Sequence, residues 1–263
     1  MFYNNRMTEK ELKALIFDVD GTLVDNEQDG HRVAFNLAFR DAGLDWYWDV
    51  DTYGQLLNVT GGKERIRYFI DRFGPALDPG VNWDEFIPVL HQSKTRHFVA
   101  LMQSGAIPLR PGVERLLKEA RACGLRLAIA TTTSPQNVMA LLATTLGDKS
   151  IAWFDVIAAG DVVPAKKPAP DIYIHALQKL GLSSSECVAF EDSENGLLSS
   201  LGAGVKTIVT VNGYTRGQNF NGALIVVDQL GEPGAGLTVL ATDKAEVAHD
   251  LYINIKYIKQ LFK

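Results

Sequence analysis

Cysteine is scarce in this chain, and its scarcity excludes two kinds of protein. Among 263 residues only Cys123 and Cys187 are cysteine, and they lie far apart, outside any CxxC or mixed cysteine–histidine cluster. Such a pair forms neither the disulfide framework of a small secreted domain nor a cysteine-ligated zinc site. We therefore interpret both as reduced residues of a cytoplasmic protein.

An excess of basic charge and a long apolar run are also missing. The net charge of −5 gives no electrostatic reason to expect nucleic acid or an anionic membrane as a partner. No stretch of about 18 apolar residues occurs, and the stretch from Met1 to Lys10 has no apolar signal-peptide segment. We expect a cytoplasmic monomer that binds a small molecule.

The chain does have a hydrophobic content of 46%, which is enough for a full core and a second, smaller domain. Short apolar runs alternate with helical patterns, and this predicts a doubly wound, mainly parallel, Rossmann-like α/β sheet. The predicted strands are 14–17, 125–130, 156–159, 187–190, 207–211 and 223–227. The predicted helices of this part are 113–123, 172–180, 196–203 and a last one within 247–262.

The pattern changes after the first strand. From His31 to Ser104 only helical periodicity appears, for example at Phe86, Leu90, His97 and Leu101. An ordinary crossover typically needs about 10–12 residues or a little more, so this long segment predicts an inserted α-helical cap domain. The predicted division is residues 1–27 and 108–263 for the α/β core and residues 28–107 for the cap.

Asp18 and Asp20 carry the strongest chemical signal. They directly follow the apolar run Ala14–Phe17, which predicts that both lie at the carboxyl end of a buried strand, where open α/β sheets bind ligands. Residues two apart in an extended segment point the same way, so both carboxylates can address one reacting atom. Gly21 then allows a sharp turn.

Three further strand ends carry polar side chains. Thr131 directly follows the second predicted strand, while Ser134 precedes Pro135 and is predicted to cap the next helix. Lys167 precedes a proline, which favours an extended backbone that can hold the ammonium in one place. Glu191 and Asp192 repeat the arrangement of the first acidic pair at another strand end.

Four carboxylates gathered at one edge would repel one another at neutral pH unless a cation lies among them. Mg²⁺ suits an oxygen-lined site that is shared with a phosphate, and no histidine or cysteine cluster competes for a softer metal. We predict Mg²⁺ as the cofactor, with Asp18, Asp20, Glu191 and Asp192 as candidate ligands.

The residue types predict phosphoryl transfer. Asp18 is the candidate nucleophile that attacks phosphorus to form an aspartyl phosphate. Asp20 would protonate the leaving oxygen and later deprotonate the attacking water. Lys167 would neutralise charge on the phosphoryl oxygens, and Thr131 would add a hydrogen bond.

At these residues the chain resembles the haloacid dehalogenase (HAD) superfamily, whose pattern runs through Asp18-Val19-Asp20-Gly21-Thr22, Thr131, Lys167-Pro168 and Glu191-Asp192. The position of the insert is similar to the helical cap of that superfamily. The resemblance implies Mg²⁺ held by Asp18, the backbone carbonyl of Asp20, and Asp192. It implies that Glu191 contributes mainly by holding other groups.

A second resemblance lies in the insert, where 43–48 and 60–65 look like the CbbY-type phosphatases associated with the Calvin cycle. The resemblance implies removal of a phosphate from xylulose 1,5-bisphosphate. We predict Glu27, Lys63, Arg65 and Thr132 as substrate-binding residues. The glycines before Lys63 begin a helix and expose backbone N–H groups. Together with the positive charges of Lys63 and Arg65, these groups are predicted to bind a second phosphate.

Two features of the insert stay open. The interval from Asp25 to His31 is one residue longer than in some members of the family, which leaves the register of Gln28 to Gly30 undetermined. The aromatic residues Trp46, Tyr47 and Trp48 are predicted to pack within the insert rather than to stack on a sugar.

Other functions remain open at this stage. A β-phosphoglucomutase-like phosphomutase would use the same core residues, and a phosphonatase would need a cap lysine, for which Lys63 is the candidate. A dehalogenase would not need the second acid, Asp20. A non-catalytic binding protein on the same fold should have lost at least one of Asp18, Asp20, Lys167 or Asp192, and all four are present.

Overall fold

The structure, a computed structural model, describes residues 11–75, 80–105, 107–242 and 251–263. These residues form one seven-stranded sheet with the order β3-β2-β1-β4-β5-β6-β7. All neighbouring strands are parallel except β6 and β7, which are antiparallel. The strands are β1 (Ala14–Phe17), β2 (Arg126–Thr131), β3 (Val156–Ala159), β4 (Cys187–Glu191), β5 (Lys206–Thr210), β6 (Ile225–Val227) and β7 (Val239–Thr242). The predicted α/β fold class is confirmed.

The central strand β1 is buried on both faces, as its unbroken apolar run predicts. Leu15 and Phe17 point to one side of the sheet and join the larger apolar cluster, whereas Ala14 and Ile16 point to the other side. Phe17 also stacks on Phe190 of β4, with ring centroids 4.5 Å apart. This packing fixes the register of β1 against β4, and therefore the positions of the residues that follow both strands.

Helices cover both faces of the sheet, and most of them begin within two residues of the predicted positions. The Ser134 hydroxyl accepts a hydrogen bond from the backbone N–H of Asn137 at 3.3 Å, and Pro135 occupies the first helical position. These helices are α5 (Val113–Ala122), α6 (Pro135–Leu146), α7 (Asp171–Leu180), α8 (Glu194–Gly202) and α9 (Ile255–Phe262). Of the predicted last helix, residues 247–250 lie outside the described residues, and residues 251–254 are not helical, so this helix begins later than predicted, at Ile255.

Between β1 and α5 the described residues form helices and no strand. These helices, called the helical insert below, are α1 (Arg32–Asp41), α2 (Val50–Leu56), α3 (Gly62–Phe73) and α4 (Trp83–Gln103). They share an apolar cluster of their own, which includes the buried Trp46 and Trp48. Tyr47 is 70% exposed, so the predicted packing role is wrong for this residue. Ala34, Phe98 and Met102 of these helices instead join the larger cluster of the sheet, so the predicted division at residues 27–28 and 107–108 remains our proposal.

None of the helices in the described ranges combines the length and the apolar character that a membrane span requires.

Candidate active site

Three carboxylates meet at the carboxyl edge of the sheet. The strand order reverses beside β1, between β2 and β4, which is the position where open α/β sheets bind ligands. Asp18 directly follows β1, Glu191 ends β4, and Asp192 comes next in the chain. Each of these three buried residues places a carboxylate oxygen within 4.8 Å of the others. The predicted convergence of four acids is therefore present for three of them, Asp18, Glu191 and Asp192.

Lys167 lies between two of these acids. Its Nζ donates to Asp18 Oδ1 at 2.6 Å and to Glu191 Oε1 at 2.6 Å, and its side chain is only 4% exposed. The hydroxyl of Tyr173 donates to the same oxygen of Glu191. The other oxygen of Glu191 faces Gly196, where a Cβ would approach it to 1.9 Å. Glu191 therefore holds Lys167 in place beside Asp18, and its direct ligation of a metal stays a prediction.

The protonation states of the Asp18 and Asp192 carboxyls depend on whether a cation is bound. Burial raises the pKa of Asp18 to about 8; Lys167 opposes the shift, whereas Glu191 and Asp20 add to it. Burial and the negative charges of Asp18 and Glu191 also raise the pKa of Asp192. A divalent ion would favour the ionised form of both carboxylates, so the donor set fits Mg²⁺.

Asp192 is oriented by the loop after β5. Asn212 donates from Nδ2 to Asp192 Oδ2 at 2.7 Å. Gly21 lies against the same oxygen, and a Cβ there would come within 2.1 Å of it, at a backbone φ of +82°. Only glycine fits this position, because both the left-handed backbone and the contact exclude a side chain. The turn after the first acidic pair thus brings its backbone directly onto Asp192.

Asp20 lies just outside the three-carboxylate group and has partners of its own. Asn26 donates from Nδ2 to Asp20 Oδ1 at 2.7 Å, and His31 Nε2 lies 3.0 Å from the same oxygen. The Nζ of Lys94 lies 2.6 Å from His31 Nδ1. Because a lysine ammonium only donates, His31 accepts at Nδ1 and presents an Nε2–H to Asp20. Although burial acts in the opposite direction, His31 and Asn26 lower the pKa of Asp20.

A π-helical turn at Glu27–His31 explains how two residues reach one oxygen. The backbone N–H of His31 donates to the carbonyl of Asn26 at 2.8 Å, five residues earlier. This wide turn brings residues five apart in sequence to the same side of the chain, so that Asn26 and His31 both face Asp20. The structure thus assigns residues 28–30, whose register the sequence left open, to this wide turn.

Comparison with known proteins decides the family of this site. The model of haloacid dehalogenase-like hydrolases matches residues 12–204. The chain belongs to this hydrolase family. The CbbY protein of Rhodobacter capsulatus is 50% identical over 213 residues, which are 81% of this chain and 91% of that protein.

A solved structure and a more distant relative add to this result. The CbbY structure from Rhodobacter sphaeroides in complex with xylulose 1,5-bisphosphate has a TM-score of 0.79 and 47% identity, and the match covers 85% of this chain and 96% of that chain. Hexitol phosphatase B of Escherichia coli is 28% identical over 204 residues, 77% of this chain and 85% of that protein. The chain is a phosphatase of the HAD-like hydrolase family, as the sequence predicts.

Two of the predicted substrate-binding residues join one network. Tyr53 of α2 donates its hydroxyl to Glu27 Oε2 and accepts a hydrogen bond from Arg65 Nη1 at 2.9 Å. The Nε of Arg65 points to the carbonyls of Leu56 and Val59, at 3.2 and 3.3 Å. Glu27 and Arg65 both line the cavity above the carboxylates, so their placement agrees with the prediction. Their contact with substrate stays a prediction.

Of the other predicted residues, two threonines line the cavity above the carboxylates and Lys63 does not. Thr131 and Thr132 line the same cavity as Asp18 and Lys167. The hydroxyl oxygen of Thr131 accepts the backbone N–H of Thr133 at 3.3 Å, which leaves its own proton free to donate. Lys63 lies apart, because its Nζ pairs with Asp161 Oδ2 at 2.6 Å across a wide cleft of about 640 Å³. The structure therefore does not bring Lys63 to the carboxylates.

Lys94 is a site residue that the sequence analysis did not single out. Helix α4 buries Leu90, Lys94, Phe98 and Met102 at four-residue intervals, and this face differs from the predicted one, which included His97. His97 instead contacts Asp41 near the surface. A lysine inside an apolar helical stripe is a usable signal, since lysine is almost never fully buried without a function or a partner.

The cavity above the carboxylates is small in this arrangement. Its volume is about 80 Å³, and a neighbouring lobe of about 50 Å³ is lined by Asp20, Glu27, Arg65 and Lys94. These volumes hold only a few water molecules. A sugar phosphate is larger than either volume, so we expect the helical insert to move away from the sheet when substrate enters.

Proposed function

We propose that the protein hydrolyses a sugar phosphate with Mg²⁺ through an aspartyl-phosphate intermediate, with a pentulose bisphosphate such as xylulose 1,5-bisphosphate as the favoured substrate. One observation carries the proposal: Asp18, a buried acid at a strand end, lies 2.6 Å from the ammonium of Lys167 and beside a second carboxylate, Asp192. A nucleophile, a fixed positive charge and an oxygen-rich cation site lie together.

The chemistry runs in two steps. In the first, a carboxylate oxygen of Asp18 bonds to phosphorus, the bond from phosphorus to the sugar oxygen breaks, and Asp20 gives that oxygen a proton. In the second, water attacks the aspartyl phosphate, Asp20 takes the water proton, and phosphate leaves with the Asp18 carboxylate restored. Lys167 stabilises negative charge on the phosphoryl oxygens in both steps.

Bound Mg²⁺, with ligands from Asp18, the Asp20 carbonyl and Asp192, would supply positive charge to the phosphoryl oxygens. Glu191 keeps the Lys167 ammonium beside Asp18 rather than elsewhere in the cavity. Burial opposes the charge of Lys167, but the carboxylates of Asp18 and Glu191 raise the pKa of Lys167, so it remains an ammonium throughout turnover.

The partners of Asp20 suit the second step best. His31 and Asn26 lower its pKa, so the carboxylate form is favoured before substrate binds, as a base requires. For the first step Asp20 must carry a proton, and the negative charge of a bound phosphate raises the pKa of a neighbouring carboxyl. The network thus holds Asp20 in one orientation for both proton transfers.

The positive groups of the neighbouring lobe support a second phosphate. Arg65 and Lys94 both line it, and Lys94 lies near the aromatic rings of Phe35 and Phe98. A lobe with two cations beside a phosphoryl-transfer site suits a substrate with phosphate at both ends. The solved CbbY from Rhodobacter sphaeroides, 47% identical, holds xylulose 1,5-bisphosphate, which favours the same substrate class here.

Phosphate release from a panel of sugar mono- and bisphosphates tests the proposed function. We expect release to require Mg²⁺, to stop with EDTA, and to be fastest with a pentulose bisphosphate. Release from monophosphates alone would reject the substrate class. Isomerised hexose phosphate without net phosphate release would indicate a phosphomutase instead, and no turnover of any ester would favour a binding protein.

Replacement of Lys94 by Met should weaken binding of bisphosphates selectively. A hydrogen bond from a charged donor contributes about 1.5–3 kcal/mol, so KM for the bisphosphate should rise about 10- to 100-fold while KM for a monophosphate changes little. Steady-state kinetics with both substrates measure the effect. Lys63→Met is the matched control, since Lys63 pairs with Asp161, and its KM values should stay near those of the unchanged protein. An equal rise in KM for both substrates with Lys94→Met would contradict the role of Lys94 in binding the second phosphate.

The preference for bisphosphates should decline above about pH 8. Burial lowers the pKa of Lys94 to about 8, whereas Asp20 and Glu27 raise it and Arg65 lowers it. Below that pH Lys94 is an ammonium, and above it the lobe loses one positive charge. We therefore expect kcat/KM for the bisphosphate to decrease relative to the monophosphate as the pH rises. A ratio that is unchanged across this range, or that changes equally in Lys94→Met, would contradict a role for the Lys94 charge.

A further inference from the structure

Arg110 lies outside the machinery described above, yet it contacts the loops that build the site. It lies in the connection that returns from α4 to α5, three residues before α5 begins. Its backbone N–H donates to the carbonyl of Leu23 at 2.9 Å, and Leu109 forms a β-bridge with Val24. The returning connection therefore runs beside the segment that follows Asp18 and Asp20.

The guanidinium of Arg110 donates to backbone carbonyls from three separate parts of the chain. Its Nη1 donates to the carbonyl of Gly21 and, at 3.0 Å, to that of Thr210. Its Nη2 donates to the carbonyls of Val211 and Asp228, each at 2.6 Å. These carbonyls lie after β1, at the end of β5 and after β6, where parallel strands end and the ladder hydrogen bonds stop. A planar group with several N–H donors satisfies all of them at once, which an ammonium cannot do.

Two of these contacts adjoin the cation site. Gly21 follows Asp20 in the chain and touches Asp192 Oδ2. Val211 precedes Asn212, which donates to the same oxygen at 2.7 Å. The guanidinium therefore binds both backbone segments that contact Asp192, the one at Gly21 and the one at Val211.

We propose that Arg110 is a positioning residue of the active site: it fixes the loop after β1 against the loop after β5 and so sets the placement of Asp192 relative to Asp18. It does not touch the reacting atoms. This inference rests on the proposed function only for the identity of the ion. Since Arg110 lies in the connection from the helical insert, it joins that connection physically to the cation site.

Calorimetric titration with Mg²⁺ tests the proposal without any turnover. Loss of a group that orients metal ligands typically weakens metal binding by about 10- to 100-fold, so we expect Arg110→Lys to bind Mg²⁺ at least about tenfold more weakly than the unchanged protein. Arg115→Lys is the matched control. Arg115 also donates to two backbone carbonyls, those of Gly231 and Ile253, both at 2.9 Å, and neither of these residues lines the cavity above Asp18 and Asp192.

The outcomes separate positioning from general stability. Weaker Mg²⁺ binding in Arg110→Lys alone, measured well below the unfolding temperature of each variant, supports the proposal. Equal Mg²⁺ binding in all three proteins, or equal losses in both variants, overturns it. If the unchanged protein binds no Mg²⁺, the metal requirement of the proposed function is wrong. This result differs from equal Mg²⁺ binding in all three proteins, which would reject only the role of Arg110.

A second measurement uses the unchanged protein and does not depend on the folding of a variant. Nuclear magnetic resonance of arginine-labelled protein reports the Nε–H signals of Arg110 and Arg115, assigned by correlation with their backbones. On addition of Mg²⁺ and beryllofluoride we expect the Arg110 signal to shift and the Arg115 signal to stay. An Arg110 signal that does not respond overturns the proposal.

Discussion

Replacement of Asp18 by Asn should abolish phosphate release from every substrate while the protein remains folded. The amide has nearly the same shape as the carboxylate but cannot attack phosphorus, so no aspartyl phosphate forms. Loss of a nucleophile in other enzymes lowers kcat by about 10⁴-fold or more, and we expect a decrease of this size. A continuous assay for released phosphate at saturating Mg²⁺ measures it, and calorimetry checks that the variant still binds the sugar phosphate.

The stability of Asp18→Asn should change little. The substitution removes the repulsion of Asp18 by Glu191 and Asp20, which raises the pKa of the buried carboxyl, but it also removes one partner of Lys167. These two effects act in opposite directions. Asp25→Asn is the matched control, because Asp25 is an exposed carboxylate in the same loop and should keep full activity. Turnover by Asp18→Asn at the rate of the unchanged protein would exclude the covalent mechanism for both substrate types.

The carboxyl edge of the sheet could be predicted because each strand is a short apolar run followed at once by polar residues. Asp18, Thr131 and Asp192 needed no knowledge of loop conformation, since parallel strands in one sheet place their carboxyl ends at the same edge. Strand β7 was missed for a related reason. Val239–Thr242 is a half-exposed antiparallel edge strand after a glycine-rich loop, so it lacks the continuous apolar run of a buried parallel strand.

Contacts across the site could not be predicted in the same way. Lys63 and Arg65 are close in sequence and were given one role, yet Lys63 points to Asp161 and Arg65 points into the network of Tyr53 and Glu27. Residues two apart on a helix face different directions, and the difference is decided by tertiary packing. The ion pair of Lys63 with Asp161 could not be predicted, because nothing in the sequence connects the loop of Asp161 to α3.

Replacement of Lys167 by Met should damage both the activity and the fold. Without the ammonium, the buried Asp18 and Glu191 lose their positively charged partner, and breaking a buried ion pair in this way destabilises a protein by about 3–5 kcal/mol. Loss of one group that stabilises transition-state charge lowers kcat by about 10²- to 10³-fold. Thermal or urea unfolding measures the first effect, and phosphate release by the fraction that remains folded measures the second.

The neighbouring lysine provides the control that separates position from charge. Lys166 carries the same charge one residue earlier and donates to Gly160 O and Asp161 Oδ1, both at 2.6 Å, but Asp161 is 62% exposed. An ion pair with an exposed partner contributes about 1 kcal/mol or less, so Lys166→Met should lose little stability and little activity. If both variants lost activity equally, the effect would come from the net charge of the loop. If only Lys167→Met loses it, the ammonium acts through its contacts with Asp18 and Glu191, as the site requires.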